Sequence, residues 1–277
     1  MKILDIKVLE NSEAVLRCFL KSEDAAFMEE GGSPAVLVCP GGAYLFLSER
    51  EGEAVALSYA AKGFQAFVLY YSVGEKANDY QPLKEVSAAI NIIRQNAEQW
   101  HLNPKKIAAC GFSAGGHLAG AAGLLTEHRV NAMILGYPAV NLGIDGSEDV
   151  KGSPVVKSLL GQNVTQERLD KGSLHLHVTK EAPPMFLWHT SEDMVVKPIQ
   201  HGIRLAEAYA REELPFEYHV FQSGQHGLSL ATPEIAGGSK SNVDKCAEVW
   251  FDMSVDWLRQ IFGEIELRDK EVEIPIL

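Results

Sequence analysis

Short apolar runs alternate with amphipathic runs along most of the chain. The runs AVLVC at 35–39 and KIAACGF at 106–112 are almost continuously apolar, which is typical of strands buried on both faces of a parallel sheet. In the segment 82–100, by contrast, apolar residues from Leu83 to Ile93 recur at helical spacing. The pattern therefore indicates strands and helices that follow one another in turn.

The predicted elements are spaced as in a doubly wound sheet. The predicted strands are 14–20, 35–39, 65–71, 107–112, 132–137, 185–190 and 216–221. The predicted helices are 49–62, 82–100, 114–125, 199–211 and 246–262. This alternation predicts an α/β fold, in which helices cover both faces of a mostly parallel sheet. The sequence contains no repeat or linker, so we expect a single domain over 1–277.

One long segment, 141–182, breaks this alternation. It lies between the sixth-strand candidate AMILGY and the strand MFLWHT, and its glycines separate short helical pieces. A long insertion in a compact domain is commonly a lid or a binding loop. We therefore expect a lid or binding insertion here. Two other interpretations stay open: the segment covers the edge of the sheet, or it joins two subunits.

The last residues, 263–277, are highly charged and end in an apolar stretch. This tail is either a frayed end or an arm that packs on a partner. The second alternative leaves a homodimer open.

Composition and charge limit the classes of partner that the protein can bind. The chain has 25 Lys and Arg residues against 37 Asp and Glu residues, a formal net charge of −12. Such an acidic chain would be repelled by nucleic acid or by an anionic membrane, so we expect neither as a partner. No apolar run approaches the roughly 20 residues of a membrane span. The opening residues, MKILDIKVLENSE, lack the apolar centre of a signal peptide.

The four cysteines are scattered and form no metal-binding spacing: Cys18, Cys39, Cys110 and Cys246. We expect them to be reduced core residues of a cytoplasmic protein. The histidines likewise show no zinc-binding spacing, so we expect no metal.

The strongest chemical signal is Gly111-Phe112-Ser113-Ala114-Gly115, between a predicted strand and a predicted helix. A serine on such a tight turn projects its hydroxyl group from the end of the sheet, and the flanking glycines avoid clashes in the turn. The following helix directs its partially positive N-terminus at the reacting atom. We therefore predict that Ser113 is a nucleophile, the alternative being a structural serine in a glycine-rich turn.

A second loop is suited to stabilise negative charge on a reacting oxygen. Pro40-Gly41-Gly42-Ala43 follows the strand AVLVC, where backbone N–H groups of a glycine-rich loop can bind an oxyanion. We expect Gly42, Ala43 and Ala114, the residue after the serine, to donate these hydrogen bonds. The alternative is a plain turn that ends the strand.

A serine nucleophile needs a base and a carboxylate that orients the base. Glu192 and Asp193 follow the strand MFLWHT, and His226 follows the strand FEYHVF. We expect His226 to be the base and prefer Asp193 over Glu192 as the acid. Among the other histidines, His117 is expected to pack or bond beneath the serine turn.

These motifs together resemble the α/β-hydrolase superfamily and, within it, small esterases related to acetyl esterases and acetyl-xylan esterases. The resemblance covers about residues 34–262. It rests on PGGAYLFLSEREGE, YYSVG, GFSAGGHLAG, LLGQNVTQERL, APPMFLWHTSED and FQSGQHGLSLA, in the order of the family. The resemblance implies that Ser113 is the nucleophile, Asp193 the acid and His226 the base. It also implies oxyanion donors at Gly42, Ala43 and Ala114.

The resemblance implies a serine esterase for short acyl groups that needs no cofactor, acting on small acyl esters such as acetylated sugars or xylo-oligosaccharides. We expect Tyr44 and Met194 to contact the substrate, because they lie beside the oxyanion loop and the acid. Two alternatives remain: a small serine peptidase of the same fold, and a non-catalytic ligand-binding protein on a hydrolase scaffold.

Overall fold

The computed structural model describes residues 1–21, 31–143 and 153–264. Within these ranges eight strands form one sheet in the order β1-β2-β4-β3-β5-β6-β7-β8. The strands are β1 (Lys2–Lys7), β2 (Val15–Leu20), β3 (Ser33–Cys39), β4 (Gln65–Tyr70), β5 (Leu102–Phe112), β6 (Ala132–Gly136), β7 (Met185–Thr190) and β8 (Phe216–Phe221). The α-helices are α1 (Glu53–Ala61), α2 (Gln81–Gln95), α3 (Ala114–Leu124), α4 (Pro154–Leu160), α5 (Gln166–Gly172), α6 (Gly202–Arg211) and α7 (Trp250–Phe262).

The sheet is parallel over most of its width. From β4 through β3, β5, β6 and β7 to β8, every neighbouring pair is parallel. The first two strands pair antiparallel, β1 with β2 and β2 with β4. The predicted mostly parallel sheet is therefore confirmed. The sequence pattern missed β1, because this edge strand is half exposed and carries charged residues at both ends.

Both faces of the sheet are covered, which explains the continuous apolar runs. Along β3, Leu37 packs in the core that contains α2 and α3, and the adjacent Val36 packs in the core with α1 and α7. Successive side chains of a strand point to opposite faces, so a strand between two helical layers must be apolar throughout. The predicted helices on both faces are therefore found.

Three predicted helices begin later than expected. The helix predicted from 199 begins as α6 at Gly202. The segment predicted from 49 starts with a 3-10 turn, Glu49–Glu51, and α1 begins after Gly52. Before α7, Asp244 accepts hydrogen bonds from the backbone N–H groups of Cys246 and Ala247, which form a separate turn. Cys246 lies exposed on this turn, so its prediction as a core residue is wrong, whereas the other three cysteines are buried.

The predicted insertion packs onto the body of the protein. Its described residues, 141–143 and 153–182, include α4, α5 and a 3-10 turn, Leu174–Leu176, and most of their leucines lie in the core. Residues 144–152 of the insertion and residues 265–277 of the predicted tail lie outside the described residues. None of the helices in the described ranges is long and apolar enough to cross a membrane.

Candidate active site

Ser113 lies on a sharp turn between β5 and α3. Its backbone has φ 54° and ψ −119°, a conformation that a residue with a side chain adopts only under strain. The turn is held by the end of β6, because the N–H of Ser113 donates to the carbonyl group of Gly136 at 3.0 Å. A Cβ atom at Gly115 would clash with the carbonyl oxygens of Cys39 and Pro40. The glycine after the serine therefore lets α3 approach β3 closely.

Three side chains meet in a hydrogen-bonded chain at the carboxyl ends of the parallel strands. Ser113 Oγ lies 2.8 Å from Nε2 of His226, and Nδ1 of His226 lies 2.7 Å from Oδ2 of Asp193. A carboxylate can only accept, so Nδ1 of His226 carries the hydrogen. Nε2 is then free to accept the serine hydroxyl proton.

The carboxylate of Asp193 is buried, with 1% of its side chain exposed. Its other oxygen accepts hydrogen bonds from the N–H groups of Val195 and Val196, at 2.9 and 2.8 Å. Burial raises the pKa of Asp193, but the contact with His226 and the two N–H donors outweigh burial, and the net pKa is lowered. Asp193 is therefore held as a carboxylate.

Glu192, the competing acid, is hydrogen-bonded to a different group. Its Oε2 accepts from the N–H of Gly224 at 3.0 Å on the protein surface. The structure thus places Asp193, and not Glu192, against His226.

The three residues predicted as oxyanion donors lie at the serine cavity or next to the serine in the chain. Gly42 and Ala43 line the same cavity as Ser113, with φ values of 127° and 55°. Within the described part of the chain, their N–H groups donate to no protein acceptor. Ala114 is the first residue of α3, so its N–H has no acceptor within the helix. All three N–H groups are therefore available to a ligand.

A cavity of about 550 Å³ opens at the serine. Its wall is mostly apolar, and Phe46, Leu142, Val156 and Val196 contribute to it. A larger groove of about 700 Å³ lies between α2 and the end of α3, away from the serine. We take the smaller cavity as the candidate site because it contains the hydrogen-bonded chain.

Two residues predicted to contact substrate do not line this cavity. The side chain of Tyr44 is 0% exposed, and its hydroxyl group lies 2.7 Å from Nδ1 of His117. Its backbone, with φ 57°, turns the ring away from the cavity into the core. The position of Tyr44 therefore contradicts the predicted contact. Met194 is 72% exposed, and its neighbours Val195 and Val196 form the cavity wall instead.

Sequence reasoning missed several polar residues in the cavity wall, among them Glu51 and His201. Glu51 falls within a predicted helix, where a charged residue gives no sign of burial. His201 precedes α6, and its Nδ1 accepts from the N–H of Asn141 at 3.1 Å. Burial lowers the pKa of His201 to about 4. The ring is thus neutral at pH 7 and carries its hydrogen on Nε2.

A metal site does not emerge from the residues that the structure describes. Within these ranges, no three His, Cys, Asp or Glu side chains are grouped so that they could hold a metal ion.

The chain is similar to known proteins in sequence and in fold. Residues 26–209 match the family model BD-FAE. The chain is 34% identical over 219 residues to Endo-1,4-beta-xylanase B of Butyrivibrio fibrisolvens, covering 73% of this chain and 34% of that protein. It is 26% identical over 248 residues to Acetylxylan esterase of Xylanibacter ruminicola, covering 83% of this chain and 47% of that protein.

A solved structure matches over nearly the full length of both chains. It is MGS-M1, an alpha/beta hydrolase enzyme from a Medee basin deep-sea metagenome library. The two chains are 35% identical, the match covers 95% of this chain and 99% of that chain, and the TM-score is 0.79. The two curated relatives are much longer, and the chain spans about a third of the first and about half of the second. The chain belongs to the BD-FAE family and has the α/β-hydrolase fold.

Proposed function

We propose that the protein is a serine carboxylic-ester hydrolase that cleaves short-chain acyl esters, with acetylated sugars or xylo-oligosaccharides as its substrate class. The observation that carries this proposal is the hydrogen-bonded chain from Ser113 through His226 to Asp193, next to three available N–H groups. The similarity to an acetylxylan esterase supports the acyl group and the class of alcohol.

The first half of the reaction forms an acyl-enzyme. His226 Nε2 takes the proton from Ser113 Oγ as this oxygen attacks the ester carbonyl carbon. The carbonyl oxygen becomes an oxyanion and accepts hydrogen bonds from the N–H groups of Gly42, Ala43 and Ala114. The C–O bond to the alcohol then breaks, and His226 gives its proton to the leaving alcohol oxygen.

The second half frees the enzyme by the same steps. A water molecule gives a proton to His226 and attacks the acyl carbon, and a second oxyanion forms at the same N–H groups. The bond to Ser113 Oγ breaks, the serine regains its proton from His226, and the carboxylic acid leaves. Asp193 stays ionised throughout and stabilises the imidazolium form of His226.

The cavity wall is suited to a sugar ester. Its apolar part, with Leu142 and Val156, can contact a small acyl group or the apolar face of a sugar ring. Its polar part includes His201, whose Nε2–H is available to donate to a hydroxyl or carbonyl oxygen. Because its ring is neutral, His201 can select a substrate by hydrogen bonding alone.

The test is a hydrolysis screen of purified protein on p-nitrophenyl acetate, butyrate and octanoate, on acetylated xylo-oligosaccharides and on a peptide p-nitroanilide. We expect kcat/KM to be highest for the short esters and acetylated oligosaccharides. A specificity constant that rises steadily to octanoate would contradict the short-chain preference. Faster cleavage of the anilide than of the esters would favour the peptidase alternative.

The role of the serine is tested by Ser113→Ala. The change should lower kcat by about 10⁴-fold or more while the protein stays folded. Ser58→Ala is the matched control, because its hydroxyl group bonds to the carbonyl of Ala54 in α1, away from the cavity. More than a tenth of the wild-type activity in Ser113→Ala would exclude Ser113 as the nucleophile.

A further inference from the structure

The 3-10 turn Glu49–Glu51 places a carboxylate inside the protein. Glu51 is 3% exposed. A buried carboxylate is costly unless donors satisfy both of its oxygens. Oε2 accepts from the N–H of Gly41 at 2.9 Å, and Oε1 accepts from the hydroxyl group of Tyr137 at 2.6 Å. Because donors occupy both oxygens, Glu51 is placed to hold other groups and not to act as a base.

The two donors belong to the two sides of the site. Gly41 immediately precedes the predicted oxyanion donors Gly42 and Ala43. Tyr137 follows β6, and its ring lies edge-on to the ring of His226, with 5.0 Å between centroids. Its hydroxyl oxygen also accepts from the N–H of Ser229, three residues after His226, at 2.8 Å. Glu51 thus connects the oxyanion loop with the loop that carries the base.

Arg50, the neighbouring residue, strengthens the connection to the base loop. Its Nη2 donates to the carbonyl of Gly227 at 2.5 Å, and its own carbonyl accepts from the hydroxyl group of Ser229 at 2.6 Å. The turn Glu49–Glu51 is therefore linked to the base loop in two ways. Arg50 contacts the loop directly, and Glu51 is connected to it through Tyr137.

Residues at these contacts, or close to them in the same loops, have unfavourable backbone conformations. Ala43, Tyr137 and Ser229 have φ values of 55°, 36° and 56°. Such conformations in residues with side chains cost free energy and persist only where surrounding contacts impose them. Without the contacts of Glu51, we expect these loops to move towards more favourable backbone conformations.

We propose that Glu51 is a positioning residue that fixes the oxyanion loop and the base loop relative to Ser113. This inference rests on the proposed function and adds a residue to it. Donors aimed at the oxyanion act only in the transition state, so their misplacement lowers kcat and leaves KM nearly unchanged. Glu51 should therefore affect transition-state binding and leave ground-state binding intact.

The test compares Glu51→Gln and Tyr137→Phe on p-nitrophenyl acetate. An amide NH₂ cannot accept a hydrogen bond, so Gln loses one of the two contacts of the carboxylate. Phe keeps the ring against His226 and loses the hydroxyl group, with its hydrogen bonds to both Glu51 and Ser229. We expect Glu51→Gln to lower kcat by about 10–100-fold, Tyr137→Phe by about 10-fold, and KM to change less than about threefold in both. Glu49→Gln, on the same turn and exposed, is the matched control and should match the wild type.

A second measurement separates positioning from folding. An alkyl boronic acid forms a tetrahedral adduct with an active serine, and one adduct oxygen takes the position of the oxyanion. Its affinity should fall with kcat in both variants, and thermal unfolding should show folded protein. If Glu51→Gln does not fold, Tyr137→Phe tests the inference instead, because this variant retains the buried carboxylate of Glu51.

Wild-type kcat in the folded variants, or a lower kcat with unchanged boronic acid affinity, would overturn the inference. The proposed function fails separately, through an active Ser113→Ala variant. An inactive Ser113→Ala together with a fully active Glu51→Gln would remove only the role of Glu51.

Discussion

The hydroxyl group of Tyr44 donates to Nδ1 of His117, and the two atoms lie 2.7 Å apart in the interior of the protein. The other ring nitrogen, Nε2, lies 2.7 Å from the carbonyl oxygen of Gly172. A carbonyl only accepts, so Nε2 carries the hydrogen and Nδ1 accepts from Tyr44. Burial lowers the pKa of His117 to about 4, and the neutral ring thus joins the loop beside the site to the insertion.

This arrangement predicts a loss of stability in mild acid. An unfolded histidine titrates near 6.5, so below that pH the unfolded chain binds a proton that folded His117 does not. Its contribution to stability is complete above about pH 6.5 and is lost as the pH falls towards 4, at about 1.4 kcal/mol per pH unit. In urea unfolding at pH 7, 6 and 5, His117→Gln should lose stability less steeply than the wild type. Equal slopes would show that His117 does not cause the dependence.

The orienting carboxylate is predicted to be Asp193 and not its neighbour. Asp193→Asn should lower kcat by about 10³–10⁴-fold, because an amide cannot stabilise the imidazolium form of His226. Glu192→Gln should change kcat less than about threefold, since the carboxylate of Glu192 bonds to the backbone N–H of Gly224 at the surface. Steady-state kinetics on p-nitrophenyl acetate measures both, and the reverse ranking would assign the role to Glu192.

The close approach of α3 to β3 predicts opposite results for two glycines of the same helix. At Gly115 a methyl group would meet the rigid carbonyls of Cys39 and Pro40, whereas at Gly120 it would meet the flexible Leu174 side chain first. Gly115→Ala should therefore displace Ser113 and lower kcat/KM by more than about tenfold. Gly120→Ala should change the free energy of unfolding by less than about 1 kcal/mol. The higher helix propensity of alanine, worth about 1 kcal/mol, should offset the cost of displacing the Leu174 side chain. Kinetics and thermal unfolding test both, and an active Gly115→Ala would contradict the packing argument.

The insertion is predicted to act on the alcohol through Ser153. Asn141 and Ser153 of the insertion both line the cavity beside Ser113, whereas His177 lines the other groove. Asn141 is buried, and Ser153 is the more exposed of the two. Ser153→Ala should lower kcat/KM for acetylated xylo-oligosaccharides by about three- to tenfold, the value of one neutral hydrogen bond. The kcat/KM of Ser153→Ala for p-nitrophenyl acetate should not change. Gln162 is exposed in the same insertion, so Gln162→Ala is the control and should match the wild type on both substrates. Equal losses on both substrates, or none on either, would indicate a purely structural segment.

Local patterns predicted the fold and the hydrogen-bonded chain well. Continuous apolar runs identified β3 and β5 because both faces of those strands are covered. Ser113 could be found because its turn demands glycines within two residues. The predicted resemblance to acetyl-xylan esterases with an α/β-hydrolase fold is confirmed by the family match and the similar proteins.

The errors concern side-chain direction and the burial of charge. Tyr44 adjoins the oxyanion loop in sequence, but a left-handed backbone turns its ring into the core. Glu51 resembles a solvated charge in a helix, because the donors that make its burial favourable come from Gly41 and from Tyr137, 86 residues away. Such partners are distant along the chain and leave no local pattern.

Because of the order of the strands, the site can assemble only when the sheet has formed from β5 to β8. Ser113, Asp193 and His226 follow β5, β7 and β8, and His226 is separated from the other two by 113 and 33 residues. Joining segments so far apart costs loop-closure entropy, and long-range parallel pairing is slow. During refolding, helical signal should therefore return before hydrolysis does. Activity would appear only when β8 has docked against β7, at the far edge of the sheet.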